Sequence, residues 1–273
     1  MNILVVDGGA LYARSYYAGQ SISADPREAI RLAVNSILVL LDPNGAKLGI
    51  QFDKTIFAWD GQQNQAKGRE PKPQVYHDTK DALVEVLAFL FGTVNAVDDE
   101  AEGDDIVATV VKQADPADTV YVVSSDKDLM QLVGGRCHYY SLHEKALLST
   151  AFIIHKFHGI RHPNQVAIEL AITGDSVDKI GGIRGYGPAK CKQLFKAVTP
   201  AMNFEEALAA VEAQLPDDKL EEFRAAFKRT LLNPAVAGVP APVPLVMAHP
   251  EDAKTLGLAQ IDALYAQTYR AYR

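Results

Sequence analysis

Three short runs of apolar and β-branched residues, 3–6, 55–59 and 119–123, each end within three residues of an aspartate. The first meets Asp7-Gly8-Gly9, the second Asp60-Gly61 and the third Ser124-Ser125-Asp126. Runs this short and this apolar fit strands buried on both faces, as in parallel sheets. The first strand is expected to stop at a loop. Helical patterning covers 27–41, 79–91 and 102–113, so strands alternate with helices, and the expected class is α/β with a parallel sheet flanked by helices. Ligands of such sheets bind outside the carboxyl ends of the strands, and all three aspartates are delivered to that edge.

More acids gather at the same places. Asp128 follows Asp126, and the helix expected from about residue 102 opens with Glu102, Asp104 and Asp105. Glu102 and Asp105 are spaced to share one helix face. In Gly174-Asp175-Ser176-Val177-Asp178, Asp175 and Asp178 repeat that spacing if the turn is helical. Taken singly, Asp7 and Asp60 also suit helix caps or turns, and the acids at 102–105 suit a first helical turn facing the macrodipole. Taken together, so many like charges in one pocket would repel and raise each other's pKa. Divalent cations resolve this, and hard carboxylate ligands suit Mg2+ or Mn2+. A metal pair held this way is the usual apparatus of phosphodiester hydrolysis, because it lowers the pKa of an attacking water and stabilises charge on the leaving oxygen.

Other segments offer phosphate-binding chemistry. Between 61 and 78 the alternation fails, and the stretch is polar and basic, with Lys67, Arg69, Lys72, Pro71 and Pro73. It reads as a loop or clamp near the sheet edge, where Lys67 or Arg69 would orient the scissile group. From about residue 150 the chain turns helical, at 151–157, 164–173, 188–197, 204–214 and 217–232. A proline-rich linker at 233–244 and a last helix at 260–269 follow. Gly181-Gly182-Ile183-Arg184-Gly185-Tyr186-Gly187-Pro188-Ala189-Lys190 reads as a glycine hairpin before a helix. Gly185 and Gly187 let backbone approach a phosphate, and amides opening the next helix attract anions, a way to grip DNA without reading its sequence. Arg184, Lys190 and Lys192 flank it. His155, His158 and His162 invite a zinc site, but Gly159 and Pro163 break the helix that would align them. Lys219, Arg224, Lys228 and Arg229 suit a solvated face as well as a duplex contact.

Composition bounds these readings. With 273 residues, 48% hydrophobic and 22% charged, the chain has an ordinary globular balance and room for one large domain with a smaller one appended. Two cysteines rule out a disulfide framework and suit a reducing, cytoplasmic setting. The apolar run 83–91 is broken by Glu85 and falls short of a membrane span, and the N-terminus reads as a strand rather than a targeting segment. A formal charge of −7 counts, at face value, against a nucleic-acid partner.

In order along the chain, Val6-Asp7-Gly8 with Arg14, Trp59-Asp60, Glu102-Gly103-Asp104-Asp105, Ser125-Asp126-Lys127-Asp128-Leu129 and Gly174-Asp175-Ser176-Val177-Asp178 precede the glycine hairpin. This series resembles the flap endonuclease and 5′-3′ exonuclease family, which includes the nuclease domain of DNA polymerase I and stand-alone phage enzymes. The resemblance spans about residues 1–200. It implies a PIN-like, resolvase-like core over 1–150 and a helical DNA-binding region with a helix–hairpin–helix element over 151–273. It implies a first metal on Asp7, Asp60, Glu102, Asp104, Asp105 and Asp126, and a second among Asp126, Asp128, Asp175 and Asp178. It further implies a helical arch at about 61–82, a K+ ion at the hairpin, and DNA contacts from Arg14, Lys67, Arg69, Lys72, Gly185, Gly187, Lys190 and Lys192. The arch departs from the family pattern: Gln65 and Ala66 stand where the family carries Tyr and Lys, and Tyr76 is the candidate substitute for the missing aromatic.

The expected activity is a Mg2+-dependent, structure-specific 5′ nuclease acting on DNA flaps and 5′ ends by in-line attack of water. A separate DNA polymerase and a monomeric state are expected with it. The alternatives are a non-catalytic DNA-binding module that keeps the hairpin, and an RNase H-type nuclease that removes primers from RNA–DNA hybrids. Setting aside the nine candidate acids leaves 25 acidic residues against 27 basic ones. The negative charge is then a property of the site, where divalent ions would offset much of it.

Overall fold

The computed structural model describes residues 1–61 and 72–273. Each apolar run forms a strand, giving β1 (Asn2–Asp7), β2 (Lys54–Asp60) and, after β3 (Val94–Asp98), β4 (Thr119–Ser124). All four are parallel, in the order β3-β2-β1-β4, with Asp60 level with Asp98 and Asp7 level with Ala58. The order continues through β5 (Cys137–Ser141) and β6 (Ala146–Leu148). β3 escapes the sequence pattern because only Ala96 of its five residues is buried. The chain winds outward from β1 to β3 and then returns to lay β4 on the other side of β1. Such a reversal, here at the carboxyl ends of β1 and β4, is where open α/β sheets bind ligands.

The first strand does not stop at a loop. Helix α1 (Gly8–Gln20) begins directly after Asp7, whose side chain caps it by accepting from Ala10 N. Gly8 looks like a turn residue in the sequence, but it is needed for packing: a Cβ there would lie 2.5 Å from the buried Trp59 ring. Helix α2 (Arg27–Leu41) matches its expected bounds. Helix α3 (Gln74–Phe91) begins five residues earlier than the sequence suggests, because Tyr76 is anchored in its first turn by the Tyr12 hydroxyl, which donates to the Tyr76 carbonyl at 2.6 Å. Residues 74–82 of the segment expected as the arch belong to this helix, and 62–71 lie outside the described residues. Helix α4 (Gly103–Gln113) opens with Glu102 at its N-cap.

Two compact units emerge. One holds the sheet and comprises Met1–Ser125, Tyr140–Leu147 and Pro234–Arg273, and the other comprises Asp126–Tyr139 and Leu148–Asn233. The expected cut at residue 150 is thus redrawn, with the last forty residues returning to the sheet unit. The proline stretch is not a plain linker: it carries β7 (Val243–Pro244), which pairs antiparallel with the start of β2. Beyond it come α10 (Pro250–Lys254) and α11 (Asp262–Ala271). The buried Tyr265 hydroxyl of α11 donates to the carbonyl of Leu90 at 2.9 Å, tying that helix to α3.

The helical unit contains a 3-10 turn, Asp128–Leu132, and helices α5 (Thr150–Lys156), α6 (Val166–Thr173), α7 (Pro188–Leu194), α8 (Phe204–Glu212) and α9 (Asp217–Thr230). Helix α6 is nearly all apolar and buried, and α9 packs along it, with Thr230 Oγ1 donating to the carbonyl of Ala167 at 2.8 Å. Among the described residues no helix is long and apolar enough to cross a membrane.

Candidate active site

In the sheet unit two aspartates end neighbouring strands. Asp7, 8% exposed, accepts from Ala10 N at 2.9 Å and from Ser124 Oγ at 2.6 Å. The serine bond crosses from β1 to β4, at the point where the strand order reverses. Burial, with the nearby Asp60 charge, pushes the Asp7 carboxyl up to about 6, against the hydrogen bonds that favour its charged form. The cap reading and the site reading of Asp7 are therefore compatible, because one oxygen caps α1 and the other meets Ser124.

Asp60 accepts from Gly103 N at 2.7 Å, and this bond pins the start of the acidic helix to the end of β2. A Cβ at Gly103 would come within 3.2 Å of the same Asp60 oxygen, so a side chain there would press on that carboxylate. Glu102, Asp104 and Asp105 are carried on that helix start, with Asp104 accepting from Asp105 N. Gly9 stands beside both strand-end acids: a Cβ there would lie 3.4 Å from an Asp7 oxygen and 3.5 Å from an Asp60 oxygen. Lys80, from α3, donates to the Asp60 carbonyl oxygen at 3.3 Å and sits over the Trp59 ring; burial lowers its pKa.

In the helical unit the acids draw closer. Asp128, Asp175 and Asp178 each offer a carboxylate oxygen within 4.8 Å of the others, the one such group of three or more ligating side chains among the described residues. The acids of the sheet unit are not gathered so tightly. Asp126 accepts from Asp128 N at 2.8 Å and fixes the turn, and its own carbonyl accepts from the Tyr139 hydroxyl. Asp128 is 6% exposed, and its Oδ1 is buried with no hydrogen-bond partner. Burial first, then the charges of Asp126, Asp178 and Asp175, push its carboxyl up to about 8.

Asp175 and Asp178 do not lie on a helix, contrary to the helical spacing argument. They lie in a tight turn closed by Asp175 and Ile180, which exchange both backbone hydrogen bonds. Asp175 is 1% exposed; its Oδ1 accepts from Val177 N, and its Oδ2 lies 2.8 Å from Lys127 Nζ. The turn still brings both acids to Asp128, because it folds back on itself in place of a helical rise. Lys179 in the turn has φ +54, a backbone conformation that lysine seldom adopts. Arg229 of α9 holds that segment, donating to the carbonyls of Asp178 at 2.8 Å and Lys179 at 3.1 Å.

The hairpin follows at once. Gly185 has φ +82, and Cβ atoms at Gly181, Gly185 and Gly187 would meet nothing within 4 Å, so this backbone is open to approach. Glu222 of α9 braces it by accepting from Arg184 N at 2.7 Å. Lys190 sits over the Tyr186 ring at 4.5 Å and Lys192 is exposed. Helix α7 ends at Leu194, and the rest of the expected helix is a 3-10 turn at Phe195–Ala197. Arg14 is exposed on α1. Lys72 donates to the Tyr17 hydroxyl at 2.7 Å, while Tyr76 is packed against the rings of Tyr12 and Tyr16. Lys67 and Arg69 lie outside the described residues. His158 pairs with the buried Glu169, and His162 Nε2 lies 2.9 Å from the Pro200 carbonyl oxygen.

Sequence reasoning missed Ser124 and Gly9 as supports of the acids in the sheet unit, and Lys127 and Arg229 as supports of those in the helical unit. For Lys127 a signal existed in its place between two aspartates; for Arg229, on a charged helix face, there was none.

The all-carboxylate donor set and the orphaned buried oxygen of Asp128 fit a hard divalent cation. The chain is similar to known proteins over much of its length. Flap endonuclease Xni of Shewanella woodyi is 28% identical over 226 residues, covering 81% of this chain and 88% of that protein. Thermostable DNA polymerase I of Thermus aquaticus is 29% identical over 200 residues, covering 71% of this chain and 24% of that protein. The chain spans only 24–29% of the length of the thermostable polymerases it matches. Among solved structures, the T5 D15 protein co-crystallised with metal ions superposes with TM-score 0.61 at 14% identity, covering 100% of this chain and 98% of that one. The catalytic core of Rad2 in complex with DNA substrate gives 0.60 at 13%, covering 99% and 92%. These two likenesses establish the fold. The family model for the 5′-3′ exonuclease N-terminal resolvase-like domain matches residues 2–158, more than half of the sequence, and the chain belongs to that family.

Proposed function

We propose that this chain is a structure-specific 5′ nuclease that hydrolyses DNA phosphodiesters at 5′ ends and 5′ flaps with the help of divalent cations. The observation that carries this reading is the convergence of Asp128, Asp175 and Asp178 around a buried carboxylate oxygen with no hydrogen-bond partner. The family and the names of the relatives, 5′-3′ exonuclease and flap endonuclease, support it.

In this reading Asp7, Asp60, Glu102, Asp104 and Asp105 serve one ion, and Asp126, Asp128, Asp175 and Asp178 serve another, with Mg2+ or Mn2+ as the metal. Bound there, such ions would supply Lewis-acid polarisation of the phosphate and a lowered pKa for water. The protein's part is to hold the acids aimed. Ser124 and Ala10 N orient Asp7, Gly103 N orients Asp60, and Val177 N orients Asp175. The open backbone of 185–187, with Lys190 and Lys192, grips duplex phosphate, and the K+ ion implied by the family resemblance would sit at the same loop. Arg14 and Lys72 meet the strand, and Lys67 or Arg69 keeps the role of orienting the scissile group that the basic loop suggests. A DNA polymerase working on the same ends is the implied partner.

The test is cleavage of a labelled 5′-flap duplex with Mg2+ or with chelator, beside an Asp126→Asn variant and an RNA–DNA hybrid of matching sequence. Metal-dependent release of the flap by the wild type and its loss in the variant are expected. Equal cleavage by the variant, or an intact flap with wild type and Mg2+, sinks the reading. Preference for the hybrid would redirect it to primer removal.

A further inference from the structure

The acid trio of the helical unit already contains a cation. Lys127 stands between Asp126 and Asp128 in sequence and reaches Asp175 Oδ2 at 2.8 Å. Asp175 is almost wholly buried, while the lysine side chain remains one-third exposed, so the stem enters from the solvent edge and only the ammonium meets the acid. The position is fixed: the Asp126 carboxylate clamps the Asp128 amide, which leaves Lys127 at the N-cap of the 3-10 turn. A buried carboxylate without a partner is strongly unfavourable, and the two other acids lie within 4.8 Å of it. Three carboxylates and one ammonium carry a formal charge of −2, which a single divalent ion neutralises.

We propose that Lys127 is the resident counter-cation of the trio Asp128, Asp175 and Asp178, and that it sets how tightly the trio takes a divalent ion. The inference rests on the metal-binding reading of that trio. In the metal-free protein the ammonium offsets the charge of Asp175 and keeps the turn at 175–180 closed against its own repulsion. When an ion enters, the same ammonium opposes it and competes for Asp175 Oδ2. Its contribution is therefore opposite in the two states: it stabilises the fold without metal and weakens the grip on metal. A weaker grip suits an ion that must rearrange its ligands as a phosphodiester enters and leaves. Lys127 acts through Asp175 on the affinity of the trio for an ion, and nothing in the geometry requires it to touch substrate.

The measurement is Mn2+ binding by calorimetry and electron paramagnetic resonance on the full chain, with thermal unfolding in chelator alongside. Wild type, Lys127→Met, Lys127→Gln and Asp128→Asn are compared. The site in question is the one whose binding disappears in Asp128→Asn. For that site, either neutral variant at residue 127 should bind Mn2+ about tenfold more tightly than wild type, in keeping with removal of a like charge a few ångströms away. The same variants should melt lower in chelator and gain more from added Mn2+ than wild type gains. Unchanged or weaker binding in a folded neutral variant overturns the role of Lys127 while leaving the metal site standing. A wild type that binds no Mn2+, or whose binding survives Asp128→Asn, overturns the metal reading itself and this inference with it. Should one neutral variant fail to fold, the other decides.

Discussion

A methyl group on residue 9 would sit 3.4 Å from an oxygen of Asp7 and 3.5 Å from one of Asp60. Both separations are ordinary van der Waals contacts, so Gly9→Ala should fold, and it should gain about 0.5–1 kcal/mol from the helical preference of alanine. The methyl group would nevertheless occupy the space between two carboxylates proposed to share an ion. The expected outcome is a higher melting temperature with at least about tenfold weaker metal-supported cleavage, a loss near 1.4 kcal/mol, read by denaturation and a Mg2+ titration. Gly8→Ala should do the reverse, because its Cβ would collide with the Trp59 ring at 2.5 Å and the fold would suffer first. A second residue-scale effect concerns pH. Asp7 titrates at about 6 and Asp128 at about 8 in the fold, against an ordinary value of 3.8. Between those values the folded chain holds protons that the unfolded chain has released, so stability of the metal-free protein falls as pH rises. Their contribution is complete below about pH 4 and is lost as pH passes through 6 and then 8. Melting in chelator from pH 5 to pH 9 should show a steady decline that Asp128→Asn flattens, and added Mg2+ should restore most at the alkaline end, where the carboxylates are charged. A melting temperature that rises with pH would contradict the burial of these acids.

Helix α9 acts on two neighbouring segments at once. Glu222 braces Arg184 at the hairpin, and two turns later Arg229 donates to the carbonyls of Asp178 and Lys179. Lys179 is held in a left-handed conformation that lysine resists, so the guanidinium keeps in place a turn that would otherwise relax. Arg229→Gln should loosen the turn and weaken metal binding by about tenfold, the scale of a lost charge-assisted hydrogen bond. Arg229→Lys should recover only part of this, since one ammonium does not match the fork that spans two carbonyls. Glu222→Ala should leave metal binding near wild type and weaken duplex binding instead; calorimetry with Mn2+ and a duplex-binding assay separate the two. Little of this was legible in the sequence, where Arg229 looks like one charge among several on a solvated face. What was legible has a local cause. The strands ending at Asp7, Asp60 and Ser124 announce themselves because burial on both faces leaves their middles apolar, and α2 because its periodicity is complete. By contrast, β3 is half polar, α1 hides behind two glycines, and the pairing of Val243 with Thr55 joins residues far apart in the chain. The acid identities could be read because carboxylates at strand ends are few, but the turn at 175–180 could not, since its spacing mimics a helix.

For the molecule as a whole, the formal charge of −7 argues against a polyanionic partner only if the acids are spread evenly. They are not, because nine of the 34 stand in the two candidate groups and the remaining acidic and basic residues nearly balance. Without metal, the acids of each candidate group would repel a phosphate brought to them in the proposed reaction, and the attraction left to the protein comes from scattered cations such as Lys72, Arg184, Lys190 and Lys192. Four phosphate contacts of this kind would give an affinity that falls about 100-fold between 50 and 200 mM salt. Divalent ions bound there would offset part of that negative charge and leave the distant cations untouched. Affinity for a flap duplex should therefore rise on adding Ca2+, a hard divalent ion used here to probe binding, while the salt slope should stay near its metal-free value. Neutralising the acids by substitution, as in Asp128→Asn with Asp175→Asn, should raise metal-free affinity in the same direction as Ca2+ does. Fluorescence anisotropy at several salt concentrations, with and without Ca2+, measures all three. If the metal-free protein bound the flap duplex tightly at 200 mM salt, the acids would not face the DNA, and the negative charge would need another explanation.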